Sequence, residues 1–470
     1  MLRIRHWVVR RASFFTWLYG VSERWMVRLT PLWKHVGLSR LDRLFAWVER
    51  PAKGLLFDCR MCGDCLLGST GMACPMNCPK RVRNGPCGGV RADGTCEVDA
   101  TMPCVWVEGW RGIKSTGLYS RYMMPRRAAE TVRSGKSAWV QVIEQQAVIH
   151  PKPERALPLD EEETFGRSSP YPPNGFEELL SSGAFAVTAE LSPPDSANPE
   201  DIASRARYFE GLVDAVNVPD GSGANSHMSS LASSLILREL GFTPVMQFAC
   251  RDRNRIALQG DILGAAALGV KNLLCLTGDD VSAGDQAGAR PVFDLDAISL
   301  LRTAKTMRDN AHFMSGRPII TPPDVFLGAA LNPFIPPFDA RPFRLAKKIA
   351  AGAQFAQTQF CYDIERLKSF MEETRRLGLH QRCHILVGVG PLISAKSANW
   401  IRSHVPGIHI PDALIKRLQD ARNEAEEGKR ICVELIEQIR PIAGVSGIHV
   451  MVHKHERLLA KIIRDSGLRS

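Results

Sequence analysis

Asn272-Leu273-Leu274-Cys275-Leu276-Thr277-Gly278-Asp279 is an apolar run of one strand's length that stops in a glycine and a carboxylate. The stretch before it, Asp261 to Gly269, has helix-forming composition, so the two together read as a helix leading into a short strand. The same unit recurs in both directions along the chain. Comparable runs lie at Phe185 to Leu191, Ala215 to Pro219, Val245 to Ala249, Val325 to Leu331, Phe355 to Phe360, His384 to Val389 and Gly447 to Val452. Most begin about 30 residues apart, the length of one strand-plus-helix unit. Intervening stretches such as Arg341 to Ala351 again favour helix. Eight units close a (β/α)8 barrel of about 250 residues. The longer intervals before the fifth and eighth runs leave room for loops and an extra helix.

The chain has 470 residues, too many for the barrel alone, so smaller units are expected in front of it. With 45% hydrophobic and 23% charged residues it has the balance of a folded globular protein, which argues against a disordered or fibrous chain. The net charge of +11 is concentrated at the front: residues 1 to 53 hold eleven Lys and Arg against Glu23, Asp42 and Glu49. The barrel region is therefore nearly neutral. No apolar run approaches the roughly 18 residues of a transmembrane helix. Arg3, Arg5, Arg10 and Arg11 precede only a short apolar run, Ser13 to Val21, without the cleavage site of a secretory signal, so a cytoplasmic location is expected.

Residues 1–57 carry five of the nine tryptophans, interleaved with arginines at roughly helical spacing. They read as amphipathic helices whose Trp face packs on the protein itself, with docking on a partner subunit or a membrane surface as the alternative. No nucleic-acid fold signature accompanies them, and nucleic acid is not an expected partner. Residues 58–150 form a second unit with its extension, Pro-rich residues 151–175 a linker, and residues 176–470 the barrel. Within the second unit stand eight of thirteen cysteines: Cys59, Cys62, Cys65, Cys74, Cys78, Cys87, Cys96 and Cys104. Outside an oxidising compartment such density points to metal rather than disulfides. Thiolates at Cys59-x2-Cys62-x2-Cys65, with glycines at 63, 71, 85, 88 and 89 for tight turns and prolines after Cys74 and Cys78, suit one or two 4Fe–4S clusters. Zinc is the alternative. Cys250, Cys275, Cys361, Cys383 and Cys432 read as small buried residues.

Barrel enzymes carry their chemistry at the C-terminal ends of the strands. Here the ends read Ala189-Glu190-Leu191-Ser192-Pro193-Pro194, then Gly223-Ala224-Asn225-Ser226, Thr277-Gly278-Asp279, Thr358-Gln359-Phe360 and Gly388-Val389-Gly390-Pro391. In this order they resemble the methylenetetrahydrofolate reductase family over about 290 residues. The cysteine block, above all Asn84-Gly85-Pro86-Cys87-Gly88-Gly89 and Cys96-Glu97-Val98, is similar to the Cys-rich domain or subunit that accompanies this reductase in anaerobic one-carbon metabolism.

The resemblance implies a flavoprotein oxidoreductase that interconverts 5,10-methylenetetrahydrofolate and 5-methyltetrahydrofolate, in one-carbon metabolism and methionine biosynthesis. It implies FAD at the barrel mouth, tetrahydrofolate derivatives as partners, and NAD(P)H or a redox protein as electron donor. A homo-oligomer or a partner subunit would also fit. By the same resemblance Glu190 is the general acid, Asp279 the carboxylate beside flavin and pterin, and Gln359 a folate ligand. Gln247, Gly278, Asp279, Asn332, Lys348 and Ala353 are then the cofactor contacts. Three departures bear on the flavin side. Thr277 stands where many members have an arginine, Gln247 where some have a histidine, and Asn332 where others have an aromatic residue.

Overall fold

The computed structural model describes residues 2–129, 133–145, 175–452 and 454–469. The chain divides into two compact units, Met1–Pro86 with Gly94–Glu162, and Cys87–Asp93 with Glu163–Ser470. The expected linker lies outside the described residues except for Gly175. The short Cys87–Asp93 segment groups with the barrel rather than with the other cysteines. There the Arg341 guanidinium donates to the Cys87 carbonyl at 3.3 Å and the Asn332 amide to that of Gly88 at 2.9 Å.

All eight expected strands form, each starting within one residue of the sequence reading and ending within two. They are β1 Ala186–Glu190, β2 Ala215–Val218, β3 Pro244–Ala249, β4 Asn272–Leu276, β5 Phe326–Leu331, β6 Phe355–Phe360, β7 His384–Val389 and β8 Gly447–Val450. Each pairs in parallel with the next, and β8 with β1, closing the barrel. The long interval before β5 holds the helix Ala297–Asn310, and that before β8 holds three, Ala395–His404, Asp412–Gln419 and Glu424–Ile439.

Side chains alternate across each strand, so the barrel interior is built in layers two residues apart. The lowest layer is apolar: Ala186, Ala215, Val245, Leu274, Phe326, Phe355 and Leu386, plugged from below by Phe176 and Leu180 of the helix Gly175–Ser181. Two residues further along β1, β2, β6 and β8 come Thr188, Asn217, Gln357 and His449, a buried polar layer. It is satisfied internally. Asn217 and Gln357 exchange amide hydrogen bonds at 2.6 and 3.0 Å, and Gln357 also donates to Thr188 at 3.3 Å.

Gly328 makes room for this stacking. A Cβ there would sit 2.2 Å from the Phe355 ring, which is itself packed on Phe326 at 5.0 Å. Gly328→Ala is therefore expected to lower stability by about 1–3 kcal/mol through overpacking, read as a shifted denaturant midpoint with unchanged slope.

In the other unit, Val8, Ala12, Phe15 and Phe57 from the helices Leu2–Arg10, Ala12–Arg28 and Leu38–Phe57 close over Leu67, Met72 and Cys74 of the cysteine-rich loop. The helix Val105–Thr116 crosses that loop at backbone contact: a Cβ on Gly112 would meet the Gly71 carbonyl at 2.1 Å. Buried carboxylates pin the arrangement. Glu108 pairs with Arg5 at 2.9 Å and with His6, and Glu49 takes Lys53 at 2.6 Å, the Ser137 hydroxyl and the Trp139 amide. The helical collar exists, but its tryptophans are not the packed face. Trp7, Trp17, Trp25 and Trp47 are exposed, and only Trp33 turns inward, against Phe45 at 5.5 Å. The reason is that small, aromatic and aliphatic residues at 12, 15, 41, 45 and 57 already fill the interior.

Candidate active site

Glu190 is the last residue of β1, one layer above the polar ring. Its side chain is 21% exposed, accepts from the Gln247 amide of β3 at 3.3 Å, and stands 4.0 Å from His449 Nε2 of β8. Burial pushes its carboxyl up to about 7, against the smaller downward pull of Gln247. Burial also drives the His449 imidazole down to about 3, and its Nδ1 is engaged by the Thr188 hydroxyl at 2.9 Å. Between those two values the contact joins two neutral groups rather than an ion pair. Burial thus keeps a proton on Glu190 up to about pH 7.

Asp279 lies three residues beyond β4 and is exposed. Gly278 before it has φ +94, and a Cβ there would stand 2.9 Å from Cβ of Arg251. That arginine, just past β3, was not picked out in the sequence. Its guanidinium donates to the Gly221 carbonyl at 3.0 Å and pairs with Asp252 at 2.7 Å. Burial opposes its charge, but Asp252, Asp279 and Asp220 together hold its pKa above the ordinary value. The positive charge that Thr277 fails to provide is therefore supplied from the neighbouring strand end. Thr277 instead accepts from the Ala297 amide at 3.2 Å, at the start of the next helix.

Gln359 is half-buried at the end of β6, where its carbonyl accepts from the Phe360 amide at 3.0 Å. Asn332 is only 5% exposed and committed elsewhere, donating to the carbonyls of Gly88 and Gly407 at 2.9 and 2.8 Å. Lys348 and Ala353 are buried together, joined by the Ala353 amide to the Lys348 carbonyl at 2.9 Å, and the Lys348 ammonium donates to the Ala330 carbonyl. Burial, then Arg344 and Arg341, push this lysine well below its ordinary value. With Lys347, four buried cations share the helix Arg341–Ala350.

The eight clustered cysteines separate into groups. Cys59, Cys62, Cys65 and Cys74 line a single small cavity of about 20 Å³ with Glu49 and Lys53 at its edge. The Cys59 thiol is drawn down to about 6, chiefly by the hydrogen bond from Cys74 and against burial, with the Met61 amide and Lys53 adding to it. Lys53 and the Tyr19 hydroxyl also act on Cys65. Cys78 is buried beside Cys104 and Cys96, and burial pushes it up to about 12. Cys87 belongs to the barrel unit. All thirteen cysteines are thiols. Among the described residues no three metal-ligating side chains converge on one point.

A family model described as methylenetetrahydrofolate reductase matches residues 175–467, more than half of the chain. The chain belongs to the methylenetetrahydrofolate reductase family. A second model, methylene-tetrahydrofolate reductase C terminal, matches residues 38–131, which include all eight clustered cysteines. The probable methylenetetrahydrofolate reductase (NADPH) of Caenorhabditis elegans is 23% identical over 309 residues, 62% of this chain and 44% of that protein. Methylenetetrahydrofolate reductase 1 of Schizosaccharomyces pombe is 22% identical over 252 residues, 52% of this chain and 39% of that one. The chain thus spans less than half the length of these curated relatives. Among solved structures, a Clostridium thermocellum protein that binds two copies of 5-methyl-5,6,7,8-tetrahydrofolic acid is 15% identical with a TM-score of 0.47, covering 62% of this chain and 99% of that one.

Within this reductase-family barrel, the residues that sequence reasoning missed are His449, Thr188, Gln357 and Arg251. Only Arg251 had a usable signal, its place just after an apolar run.

Proposed function

We propose that the chain is a flavin-dependent oxidoreductase that interconverts 5,10-methylenetetrahydrofolate and 5-methyltetrahydrofolate, with its cysteine-rich unit carrying electrons through an iron–sulfur cluster. The observation that carries this reading is Glu190 at the end of β1, whose carboxyl burial pushes up to about 7, 4.0 Å from His449.

The methylene carbon bridges two nitrogens, and opening that ring to an electrophilic iminium requires a proton on the departing nitrogen. Glu190 donates it, and a pKa near the working pH suits a general acid. The carboxylate of Asp279 favours the cationic iminium. Gln359 hydrogen-bonds the folate. The Gln247 amide offers a hydrogen-bonding edge to the flavin ring, and Lys348 and Ala353 lie on the segment that the family resemblance assigns to the phosphate and ribose contacts. FAD bound there supplies hydride exchange with the substrate carbon, and NAD(P)H or a redox protein supplies the electrons. Thiolates at Cys59, Cys62, Cys65 and Cys74 suit a 4Fe–4S cluster, a one-electron carrier.

Metal and flavin analysis of anaerobically purified protein tests both halves. The expected result is coloured protein with FAD, with about four iron and four acid-labile sulfide per chain, and menadione-linked oxidation of methyltetrahydrofolate. Colourless protein that takes up no FAD defeats the barrel half, and stoichiometric zinc without sulfide defeats the cluster half.

A further inference from the structure

Among the described residues, half of the exposed large hydrophobic side chains fall within the first 57 positions. They are ordered by helical period. On the helix Ala12–Arg28 the buried positions are Ala12 and Phe15, while Phe14, Trp17, Leu18 and Trp25 form a stripe turned to solvent. The helix Leu38–Phe57 repeats the pattern, with Leu41, Phe45 and Phe57 inside and Leu44, Trp47, Val48 and Leu55 outside. Trp47 is 77% exposed and Trp17 61%, far beyond what isolated surface residues need. Each stripe spans about 16 Å of helix at 1.5 Å per residue. The ring of Trp7 extends the first, with Phe15 5.6 Å away and the Arg11 guanidinium over its face at 4.6 Å.

The charge around these stripes has one sign. Arg24, Arg28, Arg40, Arg43 and Arg50 are exposed beside them. Each of the three carboxylates in residues 1–53 is withdrawn: Glu49 is buried on Lys53, Asp42 accepts from the Ser137 amide at 2.7 Å, and Glu23 is half-buried. The rest of the chain is close to neutral overall, so the net positive charge belongs to this face. Trp, Phe and Leu on one stripe with arginine along its borders is the composition of a helix that lies in a membrane interface, rings at headgroup depth and cations on anionic lipid. Among the described residues no helix is long and apolar enough to cross a membrane.

We infer that this face docks the protein peripherally on an anionic lipid bilayer. The stripes insert to the headgroup boundary, while the opposite faces of the same helices hold the cysteine cavity. The reductase would then work beside the membrane surface, its thiol-bearing unit nearest the lipid.

Sedimentation of the full chain with vesicles tests this, using phosphatidylcholine alone and equal parts phosphatidylcholine and phosphatidylglycerol. Binding to the mixed vesicles is expected to be about tenfold or more tighter, and to fall as salt is raised. The variant Trp17→Ser/Trp25→Ser/Trp47→Ser should lose about tenfold or more of that binding. Its thermal unfolding should be unchanged, because these rings are solvent-exposed. Arg40→Gln/Arg43→Gln/Arg50→Gln should lose the preference for anionic lipid. The inference is overturned by absence of binding to either vesicle, by equal binding to both, or by a tryptophan variant that binds like the parent. Concentration-dependent self-association that the tryptophan variant abolishes, without lipid binding, would assign the face to a second copy and overturn it equally.

Discussion

Replacing Glu190 by glutamine is expected to lower turnover of the folate substrate about 10²–10⁴-fold while leaving FAD bound. The amide preserves the contacts with Gln247 and His449 in shape but has no proton to give. A second readout separates the acid from a merely structural residue. The folded-state carboxyl titrates at about 7 against 4.5 in the unfolded chain, so the native state holds its proton more tightly. The stabilisation of the parent relative to the variant is fully present below about pH 4.5 and is lost as pH rises through about 7. By the span of that shift the relative loss is on the order of 3 kcal/mol, reduced by the partial exposure of the side chain. Denaturant midpoints of parent and variant, followed from acid to alkaline pH, should diverge in favour of glutamine. A constant offset would mean that Glu190 titrates as it does in the unfolded chain, is ionised near neutrality and cannot be the acid. In the reductive direction the parent should also lose activity as pH rises through the same window.

The barrel was legible because each strand is an apolar run bounded by turn residues, a signal carried within a handful of adjacent positions. Glu190 was legible because it ends such a run. The buried polar layer beneath it was not. His449 is a single polar residue inside the apolar run of β8, Gln357 sits in the mixed run of β6, and their meeting with Thr188 and Asn217 depends on closure of the barrel. Arg251 reaches the Gly278–Asp279 turn from a different strand, so its service to that turn cannot be read along the chain. The helical spacing of the front segment was equally clear, yet both faces of those helices are apolar. Periodicity identifies the stripes and leaves open which one turns inward.

The cysteines show the same division between density and arrangement, and the arrangement gives the second large expected effect. Cys62→Ser should remove nearly all of the iron and sulfide bound by the first thiol group rather than a quarter of it, because a cluster needs its whole set of thiolates. Cys432→Ser, buried among the barrel's helices, should leave metal content at the parental level. Cys104→Ser should also keep the first group's iron, since Cys104 stands with Cys78 and Cys96 and does not line the cavity of Cys59, Cys62, Cys65 and Cys74. Because Cys74 belongs to the same apolar cluster as Val8, Phe15 and Phe57, metal bound there is coupled to the folding of the front helices. Loss of the cluster in Cys62→Ser should therefore lower the unfolding temperature of this unit by several degrees or more and leave FAD uptake by the barrel intact. Parental iron and sulfide in Cys62→Ser would show that the cavity is not a cluster site. Loss of iron in Cys104→Ser to the same extent would mean that the two groups of thiols form one centre, contrary to their separation here.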